Sequence, residues 1–127
     1  MLVAVSLGIE VGVDVERIRD GPWRALPAHV LTGREQTHLD SCDPQSRAQM
    51  FLTYWARKEA VLKAAGVGLS IEPQLVEVTA PWERAGITAI PAELAPASRW
   101  TLVDLAVPDC AAALAAEAPE VATRLVA

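Results

Sequence analysis

A helix running from about Gln45 or Ser46 to Ala65 dominates this sequence, and the charges along it restrict what can pack beside it. Phe51, Tyr54, Trp55, Val61, Leu62 and Ala65 recur at helical spacing and supply an apolar surface. Ser46 is a candidate N-cap, and Gly66 is placed for the left-handed residue that ends a helix. Lys58, Glu59 and Lys63 interrupt the apolar surface, and Trp55, Glu59 and Lys63, each four residues from the next, share one stripe flanked by Lys58. A Glu–Lys pair at that spacing stabilises a helix by only about 0.2–0.5 kcal/mol. That accounts for the pair but not for a tryptophan on the same stripe. Arg57 falls on another face, where solvation is role enough.

Residues 2–6 and 9–16 are β-rich runs separated by Leu7-Gly8, which reads as a hairpin. In GVDVE, residues 12–16, side chains alternate, so Asp14 and Glu16 share one face while Val13 and Val15 take the other. Taken alone, that pair reads as a solvated strand face. If the hairpin packs so that Glu59 faces Asp14 and Glu16, three carboxylates converge, and like charges about 4 Å apart at a partly shielded site repel by about 4 kcal/mol per pair. A cation is then required. Such hard oxygen ligands suit Mg2+, which keeps several waters and takes one or two carboxylates plus substrate phosphates. Lys58 and Lys63 would donate to phosphate oxygens that the metal leaves unneutralised.

The rest of the chain is punctuated by turn residues. A short helix is expected around Ala28, Val30 and Leu31, and a second over Arg34–Leu39 with Thr32 as N-cap, closed by Asp43-Pro44. Strands are expected at 75–80, 86–90 and 99–107, and the alanine-rich tail CAAALAAEAPEVATRLVA reads as helix by propensity, broken at Pro119. These 127 residues fit one domain, 1–127, of α+β class, with an antiparallel sheet packed against a long central helix. An apolar content of 52% is high for that length and suggests either a buried partner surface or merely an alanine-rich chain. A net charge of −5 and scattered basic residues argue against nucleic-acid binding. Cys42 and Cys110 are too few for a disulfide framework and lack metal-site spacing, so a reducing cytoplasm is the expectation. The start MLVAVSLGIEV has no basic n-region, and no apolar run approaches the ~20 residues of a membrane span.

GVDVERI, followed about forty residues later by WARKEAVLKAAGVGL, resembles the signature of 4'-phosphopantetheinyl transferases. Between them, HVLTGREQTHL is similar to that family's short helix carrying a glutamate, here Glu35. The DVE triplet and the WxxKE context look like the larger type, which activates peptide and polyketide synthetases, rather than the short holo-acyl-carrier-protein synthases. Members of the larger type are pseudodimers, and the opening MLVAVSLGIEVGVDVE looks like the strand that enters the second half. The chain would then be a second half only, starting just past the family's Ser-His element. His29 and His38 lie in the wrong place to replace that element and read as ordinary surface or helix histidines.

The resemblance implies a half-domain that transfers the 4'-phosphopantetheine arm of coenzyme A to a serine of an acyl or peptidyl carrier protein, leaving adenosine 3',5'-bisphosphate. Carried over by position, Asp14, Glu16 and Glu59 match the Mg2+ ligands, Lys63 the residue that stabilises charge on the diphosphate, Lys58 a second phosphate-side cation, and Trp55 a pocket wall. Glu59, directly or through a water, would take the serine proton, a role that competes with metal binding for its oxygens. The resemblance also implies a C-terminal hairpin, from 99–107 and part of CAAALAA, beside the first strands, against the helical preference of alanine. Donors for the 3'-phosphate and adenine would come from a homo-oligomer or a separate first-half chain, and carrier choice from a loop near Arg17–Pro27. Two other readings stand beside this one: a transfer-incompetent half-domain that binds carrier proteins or regulates a partner, and an unrelated Mg2+ phosphohydrolase.

Overall fold

The computed structural model describes residues 3, 4, 6, 8–19, 27–67, 70–124 and 126. It is α+β, with one long helix lying across a three-stranded antiparallel sheet. In chain order the elements are β1 (Val11–Arg17), α1 (Pro27–Val30), α2 (Gly33–Asp40), α3 (Arg47–Ala65), a 3-10 turn (Pro73–Leu75), β2 (Glu77–Val78), β3 (Ile87–Ala89), a second 3-10 turn (Ala97–Arg99), β4 (Thr101–Asp104) and β5 (Cys110–Ala116). The main sheet runs β1-β5-β4, while β2 and β3 form a separate ribbon. No helix among the described residues is long and apolar enough to cross a membrane.

Helix α3 ends as its sequence requires, with Gly66 at φ 69° and its N–H donating to the Lys63 carbonyl. Its start differs from expectation. Ser46 has helical rather than extended backbone and makes no side-chain cap bond, and the Asp43 carboxylate instead accepts from the Gln45 N–H at 2.9 Å. Helix α2 carries the full reciprocal cap, with Thr32 Oγ1 accepting from the Glu35 N–H and the Glu35 carboxylate accepting from the Thr32 N–H at 2.8 Å.

The expected N-terminal hairpin does not form among the described residues. Val3, Ala4 and Ser6 carry no strand, Leu2, Val5 and Leu7 lie outside the described residues, and β1 pairs instead with β5, Asp14 opposite Ala113 and Glu16 opposite Ala111. The tail CAAALAA is accordingly a strand, paired on both edges. Alanine's helix propensity loses here because a methyl-sized surface is what α3 needs beneath it: Ala111, Ala113 and Ala115 face the helix and are buried. Opposite Ala115, Gly12 brings β1 closer still, since a Cβ there would lie 2.3 Å from the Ala60 carbonyl oxygen and 2.4 Å from the Ala64 nitrogen. The core fills the other side of α3 with Phe51, Tyr54, Val61 and Leu62 against Val30, Leu39, Val76, Val78 and Leu102.

Candidate active site at the crossing of β1 and α3

Two residues past Gly12 on the helix-facing side of β1 comes Asp14, and two further comes Glu16. Both meet the Trp55–Glu59–Lys63 stripe of α3. Lys63 Nζ donates to Asp14 Oδ1 at 2.7 Å, and Trp55 Nε1 donates to Glu16 Oε1 at 2.9 Å. Glu59 sits between those donors along the helix, close enough for the charges of Asp14 and Lys63 to act on it. The structure thus brings together Asp14, Glu16, Trp55, Glu59 and Lys63.

The cluster is short of positive charge. Three carboxylates face one ammonium. Burial, then the hydrogen bond and charge of Asp14, push the Glu16 carboxyl up to about 7, against the opposing pull of Trp55 and Lys63. Burial and Asp14 also raise Glu59, with Lys63 opposing. Asp14 itself is buried, yet its Oδ2 has no hydrogen-bond partner. The hydrogen bond between Asp14 and Glu16 needs a proton on one of the two carboxyls.

These features fit a hard divalent cation: oxygen donors, excess negative charge, and one buried carboxylate oxygen with no protein partner. Among the described residues no three His, Cys, Asp or Glu side chains stand as a ready-made cage. Lys63 and Trp55 each hold one carboxylate oxygen of the β1 pair.

Lys58 does not join them. Its ammonium is wholly buried on another face of α3, donating to the carbonyls of Val30 (2.8 Å), Val76 (2.7 Å) and Pro73 (3.1 Å) and pairing with Glu35. Burial lowers its pKa and Glu35 opposes that shift. The expectation that Lys58 faces phosphate is corrected: its ammonium is buried and already held by three backbone carbonyls and Glu35. Glu35, resembling the family's helix glutamate, is buried too, its second oxygen accepting from the Val78 N–H at 2.8 Å.

Arg57 is likewise corrected. Rather than being solvated it is fully buried, its Nε and Nη2 gripping Asp104 at 2.9 and 2.7 Å while Nη1 and Nη2 donate to the carbonyls of Thr79, Ala80 and Glu83. A signal existed in the spacing. Position 57 is three after Tyr54 and four before Val61, and position 58 lies midway between Tyr54 and Leu62, so both cations occupy core stripes. His38 packs tilted against Trp82 and its Nδ1 lies 3.3 Å from the Tyr54 hydroxyl, while His29 is exposed. Residues 20–26 of the expected carrier-recognition loop, and Gly68 and Leu69 of GVGL, lie outside the described residues.

A strand carrying an acidic pair lies beneath a helix that returns Glu and Lys, and the comparisons show which family has this chain as a member. Residues 10–115 match the 4'-phosphopantetheinyl transferase superfamily, and the chain belongs to it. Among curated relatives, 4'-phosphopantetheinyl transferase HetI of Nostoc sp. is 33% identical over 117 residues, covering 90% of this chain and 46% of that protein. Holo-[acyl-carrier-protein] synthase of Geobacillus kaustophilus is 36% identical over 67 residues, 51% of each chain. The matched stretch spans about half the length of each of these relatives. Among solved structures, the holo-(acyl-carrier-protein) synthase of Bacillus anthracis in complex with CoA (3',5'-ADP) superposes with a TM-score of 0.67 at 20% identity, over 85% of this chain and 95% of that one. The Chronobacterium ammoniagenes ACPS–CoA complex gives 0.62 at 21%, over 87% and 96%. At such identities the likeness establishes the fold.

Proposed function

We propose that this chain is the catalytic part of a Mg2+-dependent 4'-phosphopantetheinyl transferase, moving the phosphopantetheine arm of coenzyme A to a serine of an acyl or peptidyl carrier protein in the cytoplasm. The observation that carries the reading is the meeting of Asp14, Glu16, Glu59 and Lys63 where β1 crosses α3, with the Asp14 Oδ2 atom buried and unpartnered. Asp14, Glu16 and Glu59 would hold the ion, which when bound supplies positive charge to the diphosphate of coenzyme A.

The chain's own groups supply the rest. The serine hydroxyl oxygen forms a bond to the phosphorus bearing the pantetheine arm, and the diphosphate P–O bond to adenosine 3',5'-bisphosphate breaks. Glu59, whose affinity for protons burial and Asp14 raise, takes the serine proton directly or through a water, with an oxygen not lent to the ion. The Lys63 side chain is half exposed, so its ammonium can turn from Asp14 to the departing phosphate oxygen and offset its charge. Trp55 walls the pocket beside Glu16.

In this reading the chain corresponds to the second half of the larger, synthetase-activating type. A second copy, or a separate first-half polypeptide, supplies donors for the 3'-phosphate and adenine. The outer face of the main sheet supports association, because Val11, Val13, Val15, Val103 and Leu114 lie there only half buried. The test is incubation with coenzyme A, Mg2+ and an apo carrier protein, read by mass spectrometry. A gain of one phosphopantetheine arm is expected. No gain, with or without an added first-half polypeptide, would overturn the transfer reading in favour of a carrier-binding or regulatory half-domain.

A further inference from the structure

The two β1 carboxylates are held by chemically different donors from the same helix stripe. Lys63 meets Asp14 with a full charge on a flexible, half-exposed side chain, so the bond can be exchanged for another cation. Trp55 meets Glu16 with a neutral indole N–H, a donor with no acceptor capacity. Its ring is packed on Phe51, centroids 6.3 Å apart with 38° between the planes, and it is anchored against the core cluster. An indole so fixed has few alternatives to offer. It can neither neutralise Glu16 nor follow it elsewhere, and the bond therefore orients the carboxylate while leaving its charge available. Trp55 is the N–H donor to Glu16, and it takes the Oε1 atom.

We propose that Trp55 is a positioning residue, pinning Glu16 Oε1 through its indole N–H so that the second oxygen of Glu16 is presented, together with Asp14 Oδ2, to the divalent cation. This rests on the metal site argued above and gives Trp55 a role distinct from lining the pocket. A ligand held by an outer donor has less freedom to lose when the ion binds, which is why removal of such donors costs metal affinity.

The test uses the full chain, with Mn2+ alone as the probe, titrated by electron paramagnetic resonance. Trp55→Phe keeps a ring to pack on Phe51 and deletes only the donor. It is expected to weaken Mn2+ binding by about 10- to 100-fold. Glu16→Gln should also weaken binding, and adding Trp55→Phe to it should produce no further loss, whereas a wall or packing role would make the two losses multiply. A readout needing no change at position 55 is the indole 15N–1H spectrum of the metal-free protein. The Trp55 resonance should move in Glu16→Gln while those of the three other tryptophans stay. Unchanged Mn2+ affinity in Trp55→Phe, multiplying losses, or an unmoved Trp55 resonance would each overturn the inference alone. Failure of the wild-type chain to bind Mn2+ would overturn the metal site itself, and the inference with it.

Discussion

Arg57 and Lys58 on one side of α3, and Glu59 and Lys63 on the other, are near neighbours in sequence placed in opposite electrostatic situations. On the inner side the two cations are wholly buried, each with a carboxylate, Asp104 or Glu35, and several carbonyls. On the β1 side three carboxylates meet one ammonium, a buried oxygen has no partner, and two of the acids hold protons more tightly than usual. Buried polar groups that serve only the fold are satisfied, as the inner set is. In the function proposed above, the cluster left short of counter-charge beside them is where a ligand completes the set.

That contrast is tested most severely on the inner side. Lys58→Met leaves the buried Glu35 without its counter-ion and should lower unfolding free energy by about 3–5 kcal/mol, read by chemical denaturation. A loss below about 1 kcal/mol, coupled to weaker coenzyme A binding, would return Lys58 to the substrate side. The reverse outcome is expected across the helix. Glu59→Gln keeps shape and removes charge, so transfer should fall by about 10²–10³-fold while stability stays within about 1 kcal/mol. Near wild-type turnover would remove Glu59 from the chemistry.

The close approach of β1 to α3 depends on Gly12. A methyl group there meets α3 backbone atoms that no rotamer change can clear, so Gly12→Ala should displace β1 and cost about 1–3 kcal/mol. Because Asp14 and Glu16 ride on the same strand, the variant should lose divalent-ion binding as well. Stable protein with intact Mn2+ affinity would mean that the β1–α3 approach is not what assembles the cluster.

Much of this was legible in the chain because period and spacing carry it. The stripe 55–59–63, the alternation 14–16, the Thr32–Glu35 cap and the Gly66 terminus are all local patterns, and the structure has each of them. What failed was non-local. β1's partner lies about a hundred residues away, and nothing within residues 2–16 distinguishes a hairpin from a strand awaiting β5. Composition misled at CAAALAA, where close helix packing selects small side chains in a strand, and only the family resemblance pointed the right way. Charge misled at Arg57 and Lys58, since cations default to solvent in a sequence reading even when their spacing puts them on core stripes.

The smallest expected effect separates the two sides by pH. Glu16, ordinarily near 4.5, is pushed up to about 7, chiefly by burial and then by Asp14, and Glu59 moves the same way. Between those two values the folded chain binds more protons than the unfolded one, so the stability Glu16 contributes is full below about 4.5 and is lost as pH rises through about 7. The melting temperature of the metal-free protein should therefore fall by about 2–5 °C from this group between pH 5 and pH 8. Glu16→Gln should flatten that slope. Mg2+ needs the same carboxyls deprotonated, so its stabilisation should grow over the same interval and the melting profiles with and without the ion should diverge upward in pH. Lys58→Met should lower both profiles without altering their divergence, because the inner network shares no titrating group with the β1 side. Parallel profiles in the wild type would mean that ion and proton do not compete for Glu16.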